Sequence, residues 1–323
     1  MLFYVTCIGY VGNIVVSPDN YTGHLYLKFF WQLLSTFIMM SIDPRQIKYG
    51  IMYKFFLSSF LFLFTTFVNA QTKINYGNNK AAGRYYNVRG IKMYCEVYGS
   101  GKPLLLIHGN GGSIASFTNT IPYFSKKYKV IAADSRAHGK TIDTNDSLSF
   151  EMMADDEAAL LDAMHIDSAY VIGWSDGGII SLVMAMRHPG RVIKLASTGA
   201  NLWPDSTALI PSLWLDMKQT YDSLHTKVLT TAKEKNDWKV FMLDWLQPNI
   251  PLRDLQAIHC PSLIINGDHD LITLEHAVQI FKSIPKAYLW ILPSSGHSTL
   301  IDHKDEFNKK VADFFQQPFH QLD

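Results

Sequence analysis

The stretch V-I-G-W-S-D-G-G, from Val171 to Gly178, decides the fold of this chain. An apolar run ends at a glycine, Ser175 follows two residues later, and a further glycine pair leads into a helical pattern. Glycines are needed where strand and helix backbones pass too close for a side chain, and such a turn holds the serine in a sparsely populated backbone region. The G-x-S-x-G pattern predicts a nucleophile elbow, a strand turning sharply into a helix with a hydroxyl at the apex. Because glycine and serine are common, the pattern is weak evidence unless its surroundings agree.

Apolar runs of strand length alternate with helical patterns on both sides of this stretch. The run from Pro103 to Ile107 is continuous, which is typical of a strand buried on both faces in a parallel sheet. Arg89-Gly90 separates two earlier runs and predicts a hairpin. The alternation favours an α/β fold with a mainly parallel, doubly wound, eight-stranded sheet. The expected strands are 84–88, 91–98, 103–107, 129–133, 169–173, 192–196, 262–266 and 288–292, and the expected helices are 117–124, 150–164, 177–187, 274–283 and 304–316.

The alternation stops between Asn201 and Ile258. This segment is rich in tryptophan and in helical spacing, and prolines punctuate it. We interpret residues at about 202–258 as a helical cap inserted over the carboxyl edge of the sheet. Its seven acidic residues form no obvious cluster along the chain, so the sequence is least informative here.

The amino-terminal 70 residues differ from the rest. Residues 52–70 have the pattern of a signal peptide, because Lys54 precedes a charge-free run and small residues end at Ala70, where a signal peptidase would cleave. We therefore expect a secreted or periplasmic protein whose folded domain spans 71–323. The segment 1–51 is interpreted as an over-extended, non-native reading frame. The alternative is a protein that its amino-terminal segment anchors to a membrane.

Composition limits the partners of the chain. The net charge of +1 over 323 residues, with no basic stripe, argues against nucleic acid. Three scattered cysteines are too few for a disulfide scaffold or a zinc site, and Cys95 and Cys260 are expected to be small buried hydrophobic residues, with a bridge between them as the alternative. No metal or organic cofactor is expected. A membrane contact is expected only through an uncleaved amino-terminal segment, and the oligomeric state stays open.

Three polar residues follow predicted strands in the order Ser, Asp, His. Ser175 follows the run 169–173, and Asp270 and His297 follow the last two predicted strands. A serine hydroxyl is a poor nucleophile at neutral pH and needs a base within hydrogen-bond reach, oriented in turn by a buried acid. Loops at the carboxyl ends of parallel strands bring such groups together. Order and placement therefore predict a catalytic triad of Ser175, His297 and Asp270.

Other residues compete for these roles. Asp268 is the alternative acid, but the carboxylate of such a loop usually lies three residues after the glycine, which favours Asp270. His108 and His138 also follow strands, yet they lie on the earlier half of the sheet, where we expect their hydrogen bonds to shape the loops. Most of the other histidines are expected at the surface or in packing roles.

Acyl transfer also needs two backbone N–H groups aimed at the developing negative charge. One is expected from Asp176, at the start of the elbow helix, where the helix dipole also helps. The other is expected from the glycine-rich loop after Ile107. Asn110 is the first candidate in that loop and Gly111 the second.

Five motifs together resemble those of a known superfamily. The chain is similar to the serine hydrolases of the α/β-hydrolase superfamily over roughly residues 85–318, and most similar to their valacyclovir hydrolase-like, or biphenyl hydrolase-like, group. The resemblance implies ester hydrolysis through an acyl-enzyme, with Asp176 pairing with the amine of an α-amino ester. The superfamily motifs are H-G-N-G-G (108–112), D-S-R-A-H-G (134–139), G-W-S-D-G-G (173–178), G-D-H-D (267–270) and S-G-H-S (295–298), and the group also shares G-A-N (199–201) and D-E-F-N-K (305–309).

The expected partner is a small ester or related acyl compound, contacted by Asp176 and Trp174 on either side of Ser175. An aspartate in a first helical turn is favoured by the dipole in any case, so amine binding by Asp176 stays open here. Alternative enzymes are an aminopeptidase of the proline iminopeptidase type, a lactonase and a carbon–carbon bond hydrolase. A non-catalytic ligand receptor on the same fold is the alternative from another class.

Overall fold

The apolar runs of the sequence pair into one sheet in the computed structural model, which describes residues 74–320. The strands within these residues are β1 (Gly83–Val88), β2 (Ile91–Tyr98), β3 (Lys102–Ile107), β4 (Tyr128–Ala133), β5 (Ala169–Trp174), β6 (Val192–Thr198), β7 (Ser262–Gly267) and β8 (Ala287–Leu292). Their order is β1-β2-β4-β3-β5-β6-β7-β8. Strand β2 is antiparallel to β1 and β4, and the other neighbours are parallel. The predicted mainly parallel, eight-stranded α/β fold is confirmed.

Helices lie between several of these strands, and two more follow β8. The elbow helix directly follows β5, as the G-x-S-x-G pattern predicts. The helices of the described chain are α1 (Ile121–Phe124), α2 (Phe150–Ala163), α3 (Asp176–Arg187), α4 (Pro211–Leu224), α5 (Ala232–Leu246), α6 (Leu274–Ser283), α7 (Thr299–Asp302) and α8 (Lys304–Gln316).

The predicted helix 117–124 differs from the observed structure. A short 3₁₀ helix occupies Ile114–Phe117, and α1 begins only at Ile121. The hydroxyl of Ser113 accepts from the N–H of Ala115 and starts the 3₁₀ turn early. Pro122 then prevents one continuous helix, since its ring would clash with the carbonyl four residues before it.

The amino-terminal predictions lie outside the described residues. This holds for the signal peptide at 52–70 and for the segment 1–51. Among residues 74–320, no helix combines the length and apolar character that a membrane span requires.

The core has two layers, one on each face of the sheet. Along β3, Leu105 and Ile107 join one apolar cluster, whereas Leu104 and Leu106 join the other. Because successive side chains of a strand point to opposite faces, a strand covered on both sides must be apolar throughout. This is the physical reason for the continuous apolar run in the sequence. Cys95 is buried in the first layer with Cys260, and both are free thiols, as expected from the sequence.

The turn after β5 is as tight as its glycines predict. Ser175 has φ 59° and ψ −121°, a conformation that non-glycine residues rarely adopt. A Cβ on Gly173 would lie 2.0 Å from the carbonyl oxygen of Gly177, and one on Gly177 would lie 1.9 Å from that of Ile107. The elbow therefore requires glycine at both positions, and its close packing holds the serine backbone in a strained conformation.

Helices α4 and α5 occupy the segment between β6 and β7 for which a cap is predicted. Within the described chain, α4 has no buried residue, whereas α5 is bound to the core along one face. The amide of Asn236 donates to the carbonyl of Ala137 at 2.9 Å, and the amide of Gln247 donates to that of Leu148 at 3.2 Å. Between these two, Lys239 donates to the buried carboxylate of Asp143 at 2.8 Å. Helix α5 is therefore held at several points over the carboxyl edge of the sheet.

Candidate active site

The three residues of the predicted triad meet at the carboxyl edge of the sheet. Ser175 Oγ donates to His297 Nε2 at 2.9 Å, and His297 Nδ1 donates to Asp270 Oδ1 at 2.6 Å. Asp270 is almost fully buried, and its side chain also accepts from the backbone N–H groups of Gly267 and Ile272. These bonds fix the carboxylate, which orients the imidazole so that Nε2 faces the serine hydroxyl.

Asp268, the alternative acid, has a different place in the structure. Its carboxylate accepts from the backbone N–H groups of Ser294 and Ser295, at 2.9 Å each. The hydrogen bond with the neighbouring His269, and then these two backbone bonds, hold the pKa of Asp268 far below its ordinary value. Asp268 therefore ties the loop after β7 to the loop after β8, and Asp270 is the carboxylate that contacts His297.

Two neighbours restrain the imidazole of His297. The indole N–H of Trp174 donates to the backbone carbonyl of His297 at 2.9 Å. Gly199 has φ 64°, and a Cβ there would lie 2.7 Å from Cε1 of His297. Glycine is required at this position, since a side chain would need both an unfavourable backbone conformation and the space that the imidazole fills.

The predicted oxyanion donors lie beside the serine. Asp176 is the first residue of α3, so its N–H has no partner within the helix. The backbone N–H groups of Asn110 and Gly111 donate to no protein group within residues 74–320. A Cβ on the preceding Gly109 would lie 2.8 Å from that of Ser175, so the loop passes directly against this serine. These free N–H groups are therefore available to an oxyanion at the serine.

His108 joins two loops of the site. His108 Nε2 accepts from the backbone N–H of Ser135 at 3.0 Å, and its Nδ1 donates to the carbonyl of Gly109 at 2.8 Å. Burial, aided by the nearby His138, lowers the pKa of His108 to about 3. His108 is therefore neutral and joins the glycine-rich loop to the loop after β4, the role expected from the sequence.

A cavity of about 440 Å³ opens above Ser175 and His297. This volume is within the usual range for small-molecule sites. Its floor comes from the strand-end loops and its roof from α4 and α5. The described residues that line it are Asn110, Gly111, Ser175, Asp176, Asn201, Leu209, Leu213, Met217, Asp237, Val240, Phe241, Asp244, Gln247, Leu271, Ile272 and His297.

Trp174 is not one of these lining residues, although the sequence analysis expects it to contact the substrate. Its ring packs against the second core layer, and its N–H is used by the carbonyl of His297. The side chain of Trp174 therefore packs on the face of the sheet that the second core layer covers, and it does not line the cavity. Its position fits support of the His297 loop.

Sequence reasoning missed a second carboxylate in the cavity. Asp244 of α5 lies in hydrogen-bonding contact with Asp176, and the amide of Asn110 lies beside both carboxylates. Burial raises the pKa of Asp176, and burial together with the charge of Asp176 raises the pKa of Asp244 well above its ordinary value. No spacing rule links Asp176 to Asp244, since they belong to different elements that meet only when the cap lies over the sheet.

The fold and the strand-end loops define the class of the protein. The family model described as the alpha/beta hydrolase fold matches residues 102–237, which include the elbow at Ser175 and most of the predicted cap segment. The protein is an enzyme with the α/β-hydrolase fold, and it is similar to the hydrolases of that superfamily, as its motifs indicate.

Individual relatives show to which hydrolases the chain is similar. Serine hydrolase BPHL is 27% identical in Mus musculus and 28% identical in Homo sapiens, each match covering 71% of this chain and 84% of the relative. A 2-hydroxymuconate semialdehyde hydrolase of Pseudomonas sp. (strain CF600) is 26% identical, covering 74% of this chain and 96% of the relative. The solved structure of a meta-cleavage product hydrolase from Pseudomonas fluorescens IP01 superimposes with a TM-score of 0.60 at 25% identity, over 72% of this chain and 97% of that one. The resemblance to the biphenyl hydrolase-like group is confirmed.

Proposed function

We propose that this protein is a serine hydrolase that cleaves esters through an acyl-enzyme, with Ser175, His297 and Asp270 as its catalytic triad. The observation that carries the proposal is the continuous hydrogen-bond chain from the serine hydroxyl through the imidazole to a buried carboxylate. A base in contact with the nucleophile and an acid in contact with the base are the two requirements for activating serine.

In the first half of the reaction Ser175 attacks the ester carbonyl. His297 Nε2 takes the hydroxyl proton as the Oγ–carbon bond forms, and Asp270 stabilises the resulting imidazolium. The N–H of Asp176 and an N–H of Asn110 or Gly111 bind the oxyanion, each such donor being worth roughly 3 kcal/mol in the transition state. The carbon–oxygen bond of the ester then breaks, and His297 gives its proton to the departing alcohol.

In the second half water attacks the acyl-enzyme. His297 Nε2 accepts a proton from that water, and the same N–H groups stabilise the second oxyanion. The bond between the acyl carbon and Ser175 Oγ then breaks, and His297 returns the proton to the serine. The products are a carboxylic acid, an alcohol and the free enzyme, and every step uses side chains of the described site.

We propose esters that carry an α-amino group as the preferred substrates, with Asp176 pairing with the ammonium. Support comes from the place of Asp176 in the cavity, one residue after the nucleophile, and from the similarity to serine hydrolase BPHL. A cationic amine beside the scissile carbonyl would offset the cost of burying that carboxylate.

The negative charge of the cavity favours some of the alternative activities over others. The relative named 2-hydroxymuconate semialdehyde hydrolase is named for a carboxylate substrate. Two acidic side chains beside the nucleophile disfavour such an anion, because like charges repel strongly in a partly buried site. A free peptide amino terminus would suit the same charges, so the aminopeptidase is the second candidate function.

Labelling with a fluorophosphonate probe tests the hydrolase proposal. The wild-type protein is expected to form one covalent adduct, and Ser175→Ala to form none and to lose at least about 1,000-fold in kcat with p-nitrophenyl acetate. A protein without a Ser175-dependent adduct would instead be a binding protein on a hydrolase fold. Comparison of L-phenylalanine ethyl ester with L-phenylalaninamide and L-phenylalanyl dipeptides separates esterase from aminopeptidase activity.

We also propose, on the sequence pattern of residues 52–70, that the enzyme is exported. A mature chain that begins at Gln71 is the expected result of amino-terminal sequencing. A mature terminus well upstream of this position would favour the membrane-anchored alternative.

A further inference from the structure

We propose that Asp244 determines specificity, because it and Asp176 form one paired-carboxylate subsite for the protonated amine of the substrate. The inference rests on the proposed function and extends it to the cap, since half of the subsite comes from α5. Asp176 is the first residue of α3, at the carboxyl edge of the sheet and one residue after Ser175, whereas Asp244 belongs to α5 on the other side of the cavity. A cation between the two carboxylates would contact both the sheet edge and the cap.

Asn110 joins the two halves of the subsite. Its amide donates to Asp176 Oδ2 at 3.1 Å and to the carbonyl of Val240 at 3.2 Å, and Val240 lies one helical turn before Asp244. The same amide lies beside the carboxylate of Asp244. The backbone of Asn110 is also a predicted oxyanion donor, so the loop that would bind the oxyanion also sets the distance between sheet and cap.

The anchoring of α5 makes the position of Asp244 rigid. Lys239 is buried and donates to the carboxylate of Asp143 at 2.8 Å and to the carbonyl of Asn145 at 2.7 Å. Gln247 is bound to the core on the other side of Asp244. A pre-organised pair of carboxylates is a specific ligand site, because little conformational entropy is lost when the ligand binds.

Two carboxylates in contact hold one proton between them, since both cannot ionise at short range in a partly buried site. An ammonium group supplies N–H donors to both and replaces that proton. Among the described residues, the other charged or titratable groups near the pair are His138 and His297, which favour the ionised form of Asp176, and Asp237, which lines the same cavity. Amine binding is therefore expected to release a proton, which binding of an uncharged ester does not.

The test compares ethyl esters of L-phenylalanine and 3-phenylpropanoic acid, which differ only in the amine. In Asp244→Asn, the ratio of kcat/KM for the amino ester to kcat/KM for the uncharged ester is expected to fall about 10- to 100-fold. This is the effect expected from losing one hydrogen bond between charged groups. Asp222→Asn is the control, because this cap carboxylate is exposed, pairs with Lys218 and lies outside the cavity lining. Its ratio is expected to equal that of the wild type.

A binding measurement keeps the two proposals separate. Calorimetric titration of Ser175→Ala with L-phenylalaninamide, in buffers of different ionisation enthalpy, is expected to show proton release that Asp244→Asn abolishes. A ratio and a proton release that Asp244→Asn leaves unchanged would overturn the subsite while leaving the hydrolase intact. A wild-type protein that binds the amide with proton release but forms no fluorophosphonate adduct would instead overturn the proposed function alone.

Discussion

Glu157 of α2 gives the protein a stability that depends on pH. The side chain is fully buried near Cys95, and its Oε2 has no hydrogen-bond partner within the described chain. Burial, and secondarily the charge of Asp156, raises the pKa of Glu157 from its ordinary 4.5 to about 8. Folding therefore favours the protonated acid, and a neutral glutamine of the same shape would be free of this dependence.

The direction of the effect follows from the protons bound in each state. Below about pH 4.5 Glu157 is protonated in both the folded and the unfolded chain and has no effect on stability. As the pH rises towards 8, the folded chain keeps a proton that the unfolded chain loses, so the free energy of unfolding falls. The full rise in pKa corresponds to an upper limit of roughly 5 kcal/mol, reached above about pH 8.

The assay is thermal unfolding of wild type and Glu157→Gln between pH 5 and pH 9. The variant is expected to match the wild type near pH 5 and to melt some 10 °C or more higher at pH 9, at about 3 °C per kcal/mol for a domain of this size. Glu151→Gln, an exposed position on the same helix, is the control. A difference in Tm between wild type and Glu157→Gln that stays constant across this range would refute the reasoning.

Three further substitutions test how the site is held. Gly199→Ala is expected to lower kcat/KM at least about 100-fold, because the added methyl group displaces His297. It should also lower the free energy of unfolding by roughly 1–2 kcal/mol, because alanine is strained in the left-handed backbone conformation of this residue. Unchanged kinetics would contradict this. Trp174→Phe keeps an aromatic ring but removes the N–H donated to the carbonyl of His297, so kcat should fall about 5-fold at constant KM. A change confined to KM would favour the direct substrate contact expected from the sequence. Lys239→Met leaves the carboxylate of Asp143 without its partner from the cap, so the free energy of unfolding in urea should fall by about 3 kcal/mol. The variant should also lose part of the preference for amino esters. A variant as stable as the wild type would show that the buried pair does not hold the cap.

The sequence predicted the parts of the site that depend on local structure. A continuous apolar run followed by a polar loop marks the end of a parallel strand, and in such a sheet these ends share one edge. The positions of Ser175, Asp270 and His297 could therefore be assigned without coordinates. The elbow glycines were equally clear, because backbone crowding admits no other residue there.

Packing and charge pairing across distant elements needed the structure. The side of the sheet that the indole of Trp174 faces decides whether it meets substrate or supports His297, and a motif does not record that side. Asp176 invited a functional interpretation from the start, as the residue after the nucleophile. Its partner Asp244 did not, being one of seven acidic residues scattered through the cap segment.

The sequence by itself thus determined the α/β fold, the order of the proposed catalytic groups and the strained elbow, since each depends on residues within one strand and the loop that follows it. The tertiary structure decided which carboxylates share the cavity and how tightly the cap holds them. The physical reason is range: backbone conformation is set by near neighbours along the chain, whereas the charge of a cavity depends on side chains that come together only after the elements have packed.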